Sequence, residues 1–341
     1  MPEKTIYILG AGFSVPAGVP TQGALLGKVL DNDNANDLID FIKHVFGLSA
    51  EHAGSLALED VYTAIHKAAS RNQVIKGYDS ESLKQLEKKL TRKISETINI
   101  NICRDLDKTG YLGQFVQHLQ RKADTSSCGV ISLNWDILLD RIIEQPRPWH
   151  VRTQIDYGTH CTGLGNSDNR IKPALLARRD DELVVPLLKL HGSLNWLLCP
   201  QCERLYVNWE RKIALEDHHC RACSQDRVTL QPSIILPTFQ KTLDTFHYHH
   251  IWNQAAIELS EATKLIFIGY SFPLADFDFR ALITKHLPTD INVEVVLHSS
   301  DKNNGTGKRY TDYFGPNRCT IHYDGVECYV ASLNEQPVAS P

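Results

Sequence analysis

Five short runs of apolar and β-branched residues each stop on a small or polar residue: "TIYILG" at 5–10, "GVISLN" at 129–134, "LVVPLLKLHG" at 183–192, "KLIFIGYS" at 264–271 and "NVEVVLHSS" at 292–300. Runs this short and this uniformly apolar fit strands buried on both faces. Between them lie segments with apolar residues three and four apart: "TQGALLGKVL" at 21–30, "WDILLDRII" at 135–143, "YHHIWNQAAIELSEA" at 248–262 and "DFDFRALITKHL" at 276–287. Strands that alternate with helices need crossover connections. The chain therefore reads as α/β, a Rossmann-like doubly wound parallel sheet. Ligands of such sheets bind beyond the carboxyl ends of the strands, and here five ends carry small polar residues to one edge. That convergence favours one elongated ligand with phosphates and riboses over five independent helix caps.

Two stretches interrupt the alternation. From 38 to 122, segments such as "DLIDFIKHVF" and "LEDVYTAIHKAA" have helical spacing and almost no strand signal, which predicts a helical insertion. Residues 199–228 form a small cysteine-bearing module, leaving 1–37, 123–198 and 229–333 for the nucleotide-binding domain. The final "NEQPVASP" reads as a frayed tail. Nothing in the 341 residues approaches the roughly 20 apolar positions a membrane span needs, and "MPEKTIYILG" runs straight into a strand. The expectation is a cytoplasmic protein. A net charge of −4 with no Lys/Arg cluster gives no electrostatic case for binding nucleic acid directly.

The motifs divide into strong and weak signals. In "ILGAGFSVPAGVPT" at 8–21, Gly10, Gly12 and Ser14 follow a strand and precede a helix, where backbone N–H groups can face a phosphate; a purely structural turn is the other reading. The dinucleotide fingerprint fails at its third glycine, which is Val15. Asn134 and Asp136 in "SLNWD" sit at a strand end, and equally suit capping the next helix, as Thr21 suits capping its own. His191 in "KLHG" is placed for proton transfer, or is a satisfied core histidine. "HYHH" at 247–250 reads as a solvated helix start. The spacing C-x₂-C-x₁₇-C-x₂-C of Cys199, Cys202, Cys220 and Cys223 is the sharpest signal: four thiolates for a structural zinc ribbon, with His218 and His219 as bystanders that could substitute. The other five cysteines are expected to be buried and structural.

Taken together, the motifs resemble the sirtuin superfamily, in its divergent prokaryotic branch found in antiphage defence. "GAGFSVPAGVP" looks like G-A-G-x-S-x-x-x-G-[IV]-P, "SLNWD" like T-x-N-x-D, "KLHG" carries the family histidine, the four cysteines follow, then "LQPSIILPTF", and "GYSF" stands where the family has G-T-S. The resemblance implies that Gly10, Ala11, Gly12 and Ser14 lie along the pyrophosphate of NAD⁺. Thr21, Gly269, Ser271 and Asp301 complete the cofactor site, Asp301 at the adenosine ribose. Asp136 is implied to hold the nicotinamide carboxamide, Asn134 the nicotinamide ribose or a water, and His191 to act as general base.

Three departures concern the acyl-lysine half of the family's machinery. Deacylating sirtuins follow G-I-P with D-F-R, and here Thr21-Gln22-Gly23 follows Pro20; Leu133 replaces the glutamine of T-Q-N-I-D; and "IILPTF" lacks the peptide-clamping Gly-Glu. The resulting expectation is an NAD⁺ glycohydrolase that depletes NAD⁺ on infection, in the manner of abortive infection. The alternatives are an NAD⁺-dependent lysine deacylase or ADP-ribosyltransferase, and a catalytically silent NAD⁺ or ADP-ribose sensor. The resemblance also implies restraint in trans, by a HerA-type hexameric ATPase or a short Argonaute protein, and self-association.

Overall fold

The computed structural model describes residues 3–31, 34–102, 110–125, 127–144, 152–164, 170–171, 182–208, 218–223, 225–235 and 245–335. Its centre is a seven-stranded sheet built from β1 (Lys4–Leu9), β2 (Ser127–Ser132), β3 (Arg152–Asp156), β6 (Glu182–Lys189), β10 (Lys264–Ile268), β11 (Asn292–Val296) and β12 (Cys319–His322), in the order β12-β11-β10-β1-β2-β6-β3. Every pairing in it is parallel. The order reverses at β1: the chain continues to β2 on one side and to β10–β12 on the other. Such a switch point opens a crevice between the diverging loops.

The register makes the crevice one line. Leu9 is level with both Ser132 and Ile268, Ser132 with Lys189, and Ile268 with Val296. The five expected strand ends therefore stop side by side. The ladder runs one residue into each loop, since the N–H groups of Gly10, Leu133, Leu190 and Gly269 donate to the carbonyls of Ile268, Leu9, Ser132 and Val296.

The two faces of the sheet follow from the period of two along each strand. Tyr7 on β1 meets Phe115 and His118 of α6 (Gly110–Thr125) with its ring, 5.3 Å from the Phe115 centroid. Its neighbour Ile6 faces the other way, as does Gly129, where an added Cβ would sit 3.1 Å from Glu258 of α8 (Phe246–Ser260). Helix α6 thus covers one face and α8 the other.

The helical stretch after β1 comprises α1 (Gln22–Leu30), α2 (Asn36–Phe46), α3 (Ala50–Ala53), α4 (Leu58–Ser70) and α5 (Ser80–Ile102). Helices α1, α4 and α5 pack on one another. Helix α6, although inside 38–122, packs on β2, β6 and α7 (Leu138–Glu144) instead and belongs to the sheet's own layer. Helix α9 (Phe277–His286) matches the segment expected at 276–287, while three elements past β11 carried no expectation from the sequence: α10 (Thr306–Phe314), β12 and α11 (Gly325–Glu335).

A second sheet has five strands in the order β5-β4-β8-β7-β9: β4 (Cys161–Gly163), β5 (Arg170–Ile171), β7 (Gly192–Leu198), β8 (Leu205–Val207) and β9 (Gln231–Ile234). It is wider than the 199–228 module of the sequence reading, drawing strands from both sides of it. The chain passes from one sheet to the other at Gly192, whose φ is +76° and where a Cβ would lie 2.3 Å from the Ser233 carbonyl oxygen. Only glycine fits that turn, and it holds His191 at the junction of the two sheets. Among the described residues no helix is long and apolar enough to cross a membrane.

Candidate active site

A pocket of 430 Å³ opens beyond the strand ends. Its wall includes Ala11, Gly12, Thr21, Asn134, Asp136, His191, Gly269, Ser271 and Asp301, so nine of the expected site residues meet at one place. The size suits a small-molecule ligand. Two expected residues, Gly10 and Ser14, stand behind the wall.

The glycines do something other than what the loop's sequence suggests. A Cβ on Gly10 would lie 2.5 Å from the Tyr270 Cα, one on Gly12 2.7 Å from the Gly269 carbonyl oxygen, and one on Gly269 2.2 Å from the Phe13 nitrogen. The Gly12 N–H donates to Gly269 O at 2.7 Å, and the Phe13 N–H to Gly10 O at 2.9 Å. These glycines let the loops after β1 and β10 press backbone against backbone across the switch point. The segment after Gly10 is a 3-10 helix (Ala11–Ala17), with its Gly12 and Phe13 N–H groups engaged inside the loops. At these two N–H groups the segment behaves as the structural turn that the sequence left open.

Ser14 is buried. Its hydroxyl donates to Asp136 Oδ2 at 2.8 Å and accepts from Asn134 Nδ2 at 3.4 Å. The same Asn134 amide donates to Gly10 O at 2.8 Å. Asp136 Oδ1 accepts the Leu138 N–H, the capping role that the sequence left open, and α7 starts at Leu138 rather than at 135. Thr21 occupies the N-cap position of α1 but its side chain makes no cap bond. Burial raises the Asp136 carboxyl above its ordinary range, a shift that nearby Lys189 and the Ser14 bond oppose. Lys189 is itself buried, donating to the Asp136 carbonyl and, at 3.2 Å, to Asp140 Oδ2, whose other oxygen accepts from Tyr157. This network closes the floor behind the pocket.

The Leu133 carbonyl can only accept, so the Nδ1 of His191, 3.2 Å away, carries the ring proton. That tautomer makes Nε2 an acceptor, and Nε2 lies 3.6 Å from Asp276 Oδ1. The Tyr270 hydroxyl donates to Asp276 Oδ2 at 2.7 Å. Asp276 and Tyr270 also line the pocket and were absent from the sequence reading. So was Arg309, the only lysine or arginine among the described lining residues. Its Nε and Nη2 donate to the Ser271 carbonyl and Nη2 to Thr306 Oγ1, at the N-terminus of α10. A cation and a positive helix end stand there together. Asp301 accepts the His298 N–H and the Asn304 amide, and so is held at the rim by its own turn.

The four cysteines assemble as their spacing predicts. Their sulfurs lie within 4.8 Å of one another, with Cys199–Cys223 at 3.9 Å and Cys202–Cys220 at 3.6 Å. Ligands about 2.3 Å from a tetrahedral ion would be roughly 3.8 Å apart, so the donor set fits a closed S₄ metal site. Burial raises the Cys220 thiol, but donation from Tyr206 and from the Cys223 backbone outweighs it and brings it down to about 6. His219 turns to Thr229 instead, 3.5 Å away. The "HYHH" expectation holds for the exposed His249 and His250 and is corrected at His247, which is buried, 2.8 Å from Thr159 Oγ1 and 2.7 Å from the Glu203 carbonyl, pinning α8 to the first cysteine turn. Of the remaining cysteines, Cys128 and Cys161 are buried, Cys319 is half-buried and Cys328 is exposed; Cys103 lies outside the described residues.

No protein-family model matches the chain, and no curated protein does. Solved structures similar to it include a Sir2 homologue in complex with NAD (13% identity, 98% of this chain and 88% of that one, TM-score 0.44). A Sir2 enzyme structure is similar at 14% identity, covering 98% and 91%, with a TM-score of 0.47. Sir2Tm bound to a propionylated peptide is similar at 14% identity, covering 98% and 93%, with a TM-score of 0.43. All three are Sir2 structures.

Proposed function

We propose that this protein is an NAD⁺ glycohydrolase that cleaves NAD⁺ to nicotinamide and ADP-ribose. The observation that carries the reading is the meeting of Asn134, Asp136 and His191 with the β1 and β10 loops at one pocket, whose wall after Pro20 is Thr21, Gln22 and Gly23 rather than an acyl-lysine motif. In this reading the pyrophosphate lies near Ala11, Gly12, Gly269 and Ser271, with Arg309 and the N-terminus of α10 supplying positive charge. Asp301 takes the adenosine ribose, and Asp136 the carboxamide.

The chemistry needs little acid assistance. The ring nitrogen of bound nicotinamide is quaternary, so the base leaves neutral while positive charge grows on the ribose. Carboxylates beside that charge stabilise it in a site where water is limited. Water then adds to the ribosyl carbon, and His191, with Nε2 the accepting nitrogen, takes the proton. Asn134 and Ser14 fix Asp136 and the loop in place. The cysteine cluster holds zinc in this account, and the ion supplies structure to the second sheet and no open coordination position.

A second reading, an NAD⁺-dependent lysine deacylase, is favoured by one observation, the closed four-cysteine site typical of deacylating sirtuins. The defence role, with restraint in trans by a HerA-type ATPase or a short Argonaute protein and self-association through the helical segment, follows from the family resemblance alone. The test is incubation with NAD⁺, with and without the products of neighbouring genes, following nicotinamide by chromatography. Release that stops in His191→Ala and Asn134→Ala supports the assignment. Release that both variants leave untouched removes it, and acyl loss from a lysine peptide in place of simple hydrolysis decides for the second reading.

A further inference from the structure

Asp276 occupies the N-cap position of α9, where an aspartate ordinarily spends its carboxylate on the first N–H groups of the helix. Here it makes no such bond. Its Oδ2 accepts from Tyr270 and its Oδ1 faces His191, although the residues on either side of this segment, Leu274 and Phe277, are 76% and 71% exposed. A surface turn has been bent to bring one carboxylate inward. The turn forgoes a helix cap to do so. The loop that carries it also holds Phe272 at a φ of +52°, a conformation disfavoured for an aromatic residue.

We propose that Asp276 and His191 form a dyad that holds the attacking water, an inference that rests on the hydrolase reading of the same pocket. Two acceptors 3.6 Å apart, Nε2 and Oδ1, match a single water that donates one hydrogen to each from about 2.8 Å. As the ribosyl C1′–N bond breaks, its electron pair leaves on nicotinamide. A lone pair of the water forms the new C1′–O bond, and the water proton facing His191 passes to Nε2. Nδ1 keeps its proton against the Leu133 carbonyl, so the ring becomes imidazolium beside the Asp276 carboxylate. Tyr270 anchors the second oxygen. Burial, with Asp276 beside it, raises the Tyr270 hydroxyl well above its ordinary range, so it remains a donor. The other ionisable groups about the dyad are Asp136 from the β2 end and Glu59 from α4, whose charge is felt at Asp276, with Arg280 acting on Tyr270.

The test separates the dyad from the hydrolase reading by using two readouts. The first needs no turnover: the His191 ring is titrated by NMR in histidine-labelled full-length protein, assigned by loss of its signal in His191→Gln. Asp276→Asn should lower the midpoint by about one pH unit, and Tyr270→Phe should lower it by less. An unchanged midpoint in Asp276→Asn overturns the dyad whatever the enzyme does. The second is NAD⁺ turnover in the presence of methanol. Asp276→Asn should cut kcat by about 100-fold or more with KM within about threefold, and should change the ratio of methyl-ADP-ribose to ADP-ribose. Full kcat with an unaltered product ratio also overturns it. A wild type that binds ADP-ribose but never releases nicotinamide ends the hydrolase reading and the water-holding role with it, and leaves the NMR result to decide the contact.

Discussion

The pocket at the strand ends and the cysteine cluster are both built from short loops, and they differ in how far the chain travels to make them. Four sulfur ligands come from 25 consecutive positions, 199–223, and meet through two turns of the same kind. The pocket collects residues from Ala11 to Arg309, brought together by the loops after five strand ends of one register-locked sheet and by helices α1, α5 and α10. A local site needs only its own turns. A dispersed site needs the whole sheet, and its small residues serve the contact between loops as much as the contact with a ligand.

The contrast can be broken most severely at the cysteines. Replacing Cys220 with Ser should abolish one-to-one metal binding in native mass spectrometry, because structural zinc contributes on the order of 10 kcal/mol to the fold of such modules. Hydrogen exchange should accelerate in β7, β8 and β9 while β1, β2 and β10 keep their protection. Equal loosening of β1 would mean that the two regions are not independent. At the pocket, Gly269→Ala forces a Cβ against the Phe13 nitrogen at a φ of +63°. It should destabilise the protein by about 3 kcal/mol and weaken ADP-ribose binding about tenfold, with the metal content intact.

Smaller effects sharpen the same division. Burial lowers the imidazole of His118, 2.6 Å from the Tyr7 hydroxyl, to about 4. The folded protein then binds fewer protons than the unfolded chain between about pH 4 and 6.5, so stability is lost as pH falls through that window. His118→Gln should flatten the fall in Tm there and leave NAD⁺ turnover at neutral pH alone. Asp136 runs the other way. Its raised carboxyl means that the folded state holds a proton the unfolded chain releases, so its contribution to stability falls as pH rises through the carboxylate range. Asp136→Asn should raise Tm at pH 7 by about 2 °C while lowering turnover, the pattern of a residue kept for chemistry at a cost to the fold.

The sequence carried these two regions unequally. The parallel sheet and its five polar ends were legible because buried strands and amphipathic helices have different periods. The cysteine site was legible because its spacing is local. Asp276 was hidden because an aspartate opening "DFDFRALITKHL" is what a helix start ordinarily shows, and only its unmade cap bond marks it. Arg309 was hidden because it sits one turn into α10, a helix that carried no expectation from the sequence. His247 was misread as solvated because its partners, Thr159 and Glu203, lie 88 and 44 positions away. Glycine at these positions shows only that something comes close, and the fold shows that the next loop does.

The central claim is that five strand ends form one nucleotide pocket, separate from the cysteine region. Hydrogen exchange with and without ADP-ribose tests it in one experiment. The account predicts slowed exchange at 10–14, 132–136, 190–192, 269–271 and 301–309, with no change across 199–223. Protection confined to the cysteine region, or none at the strand ends with the ligand bound, would contradict it.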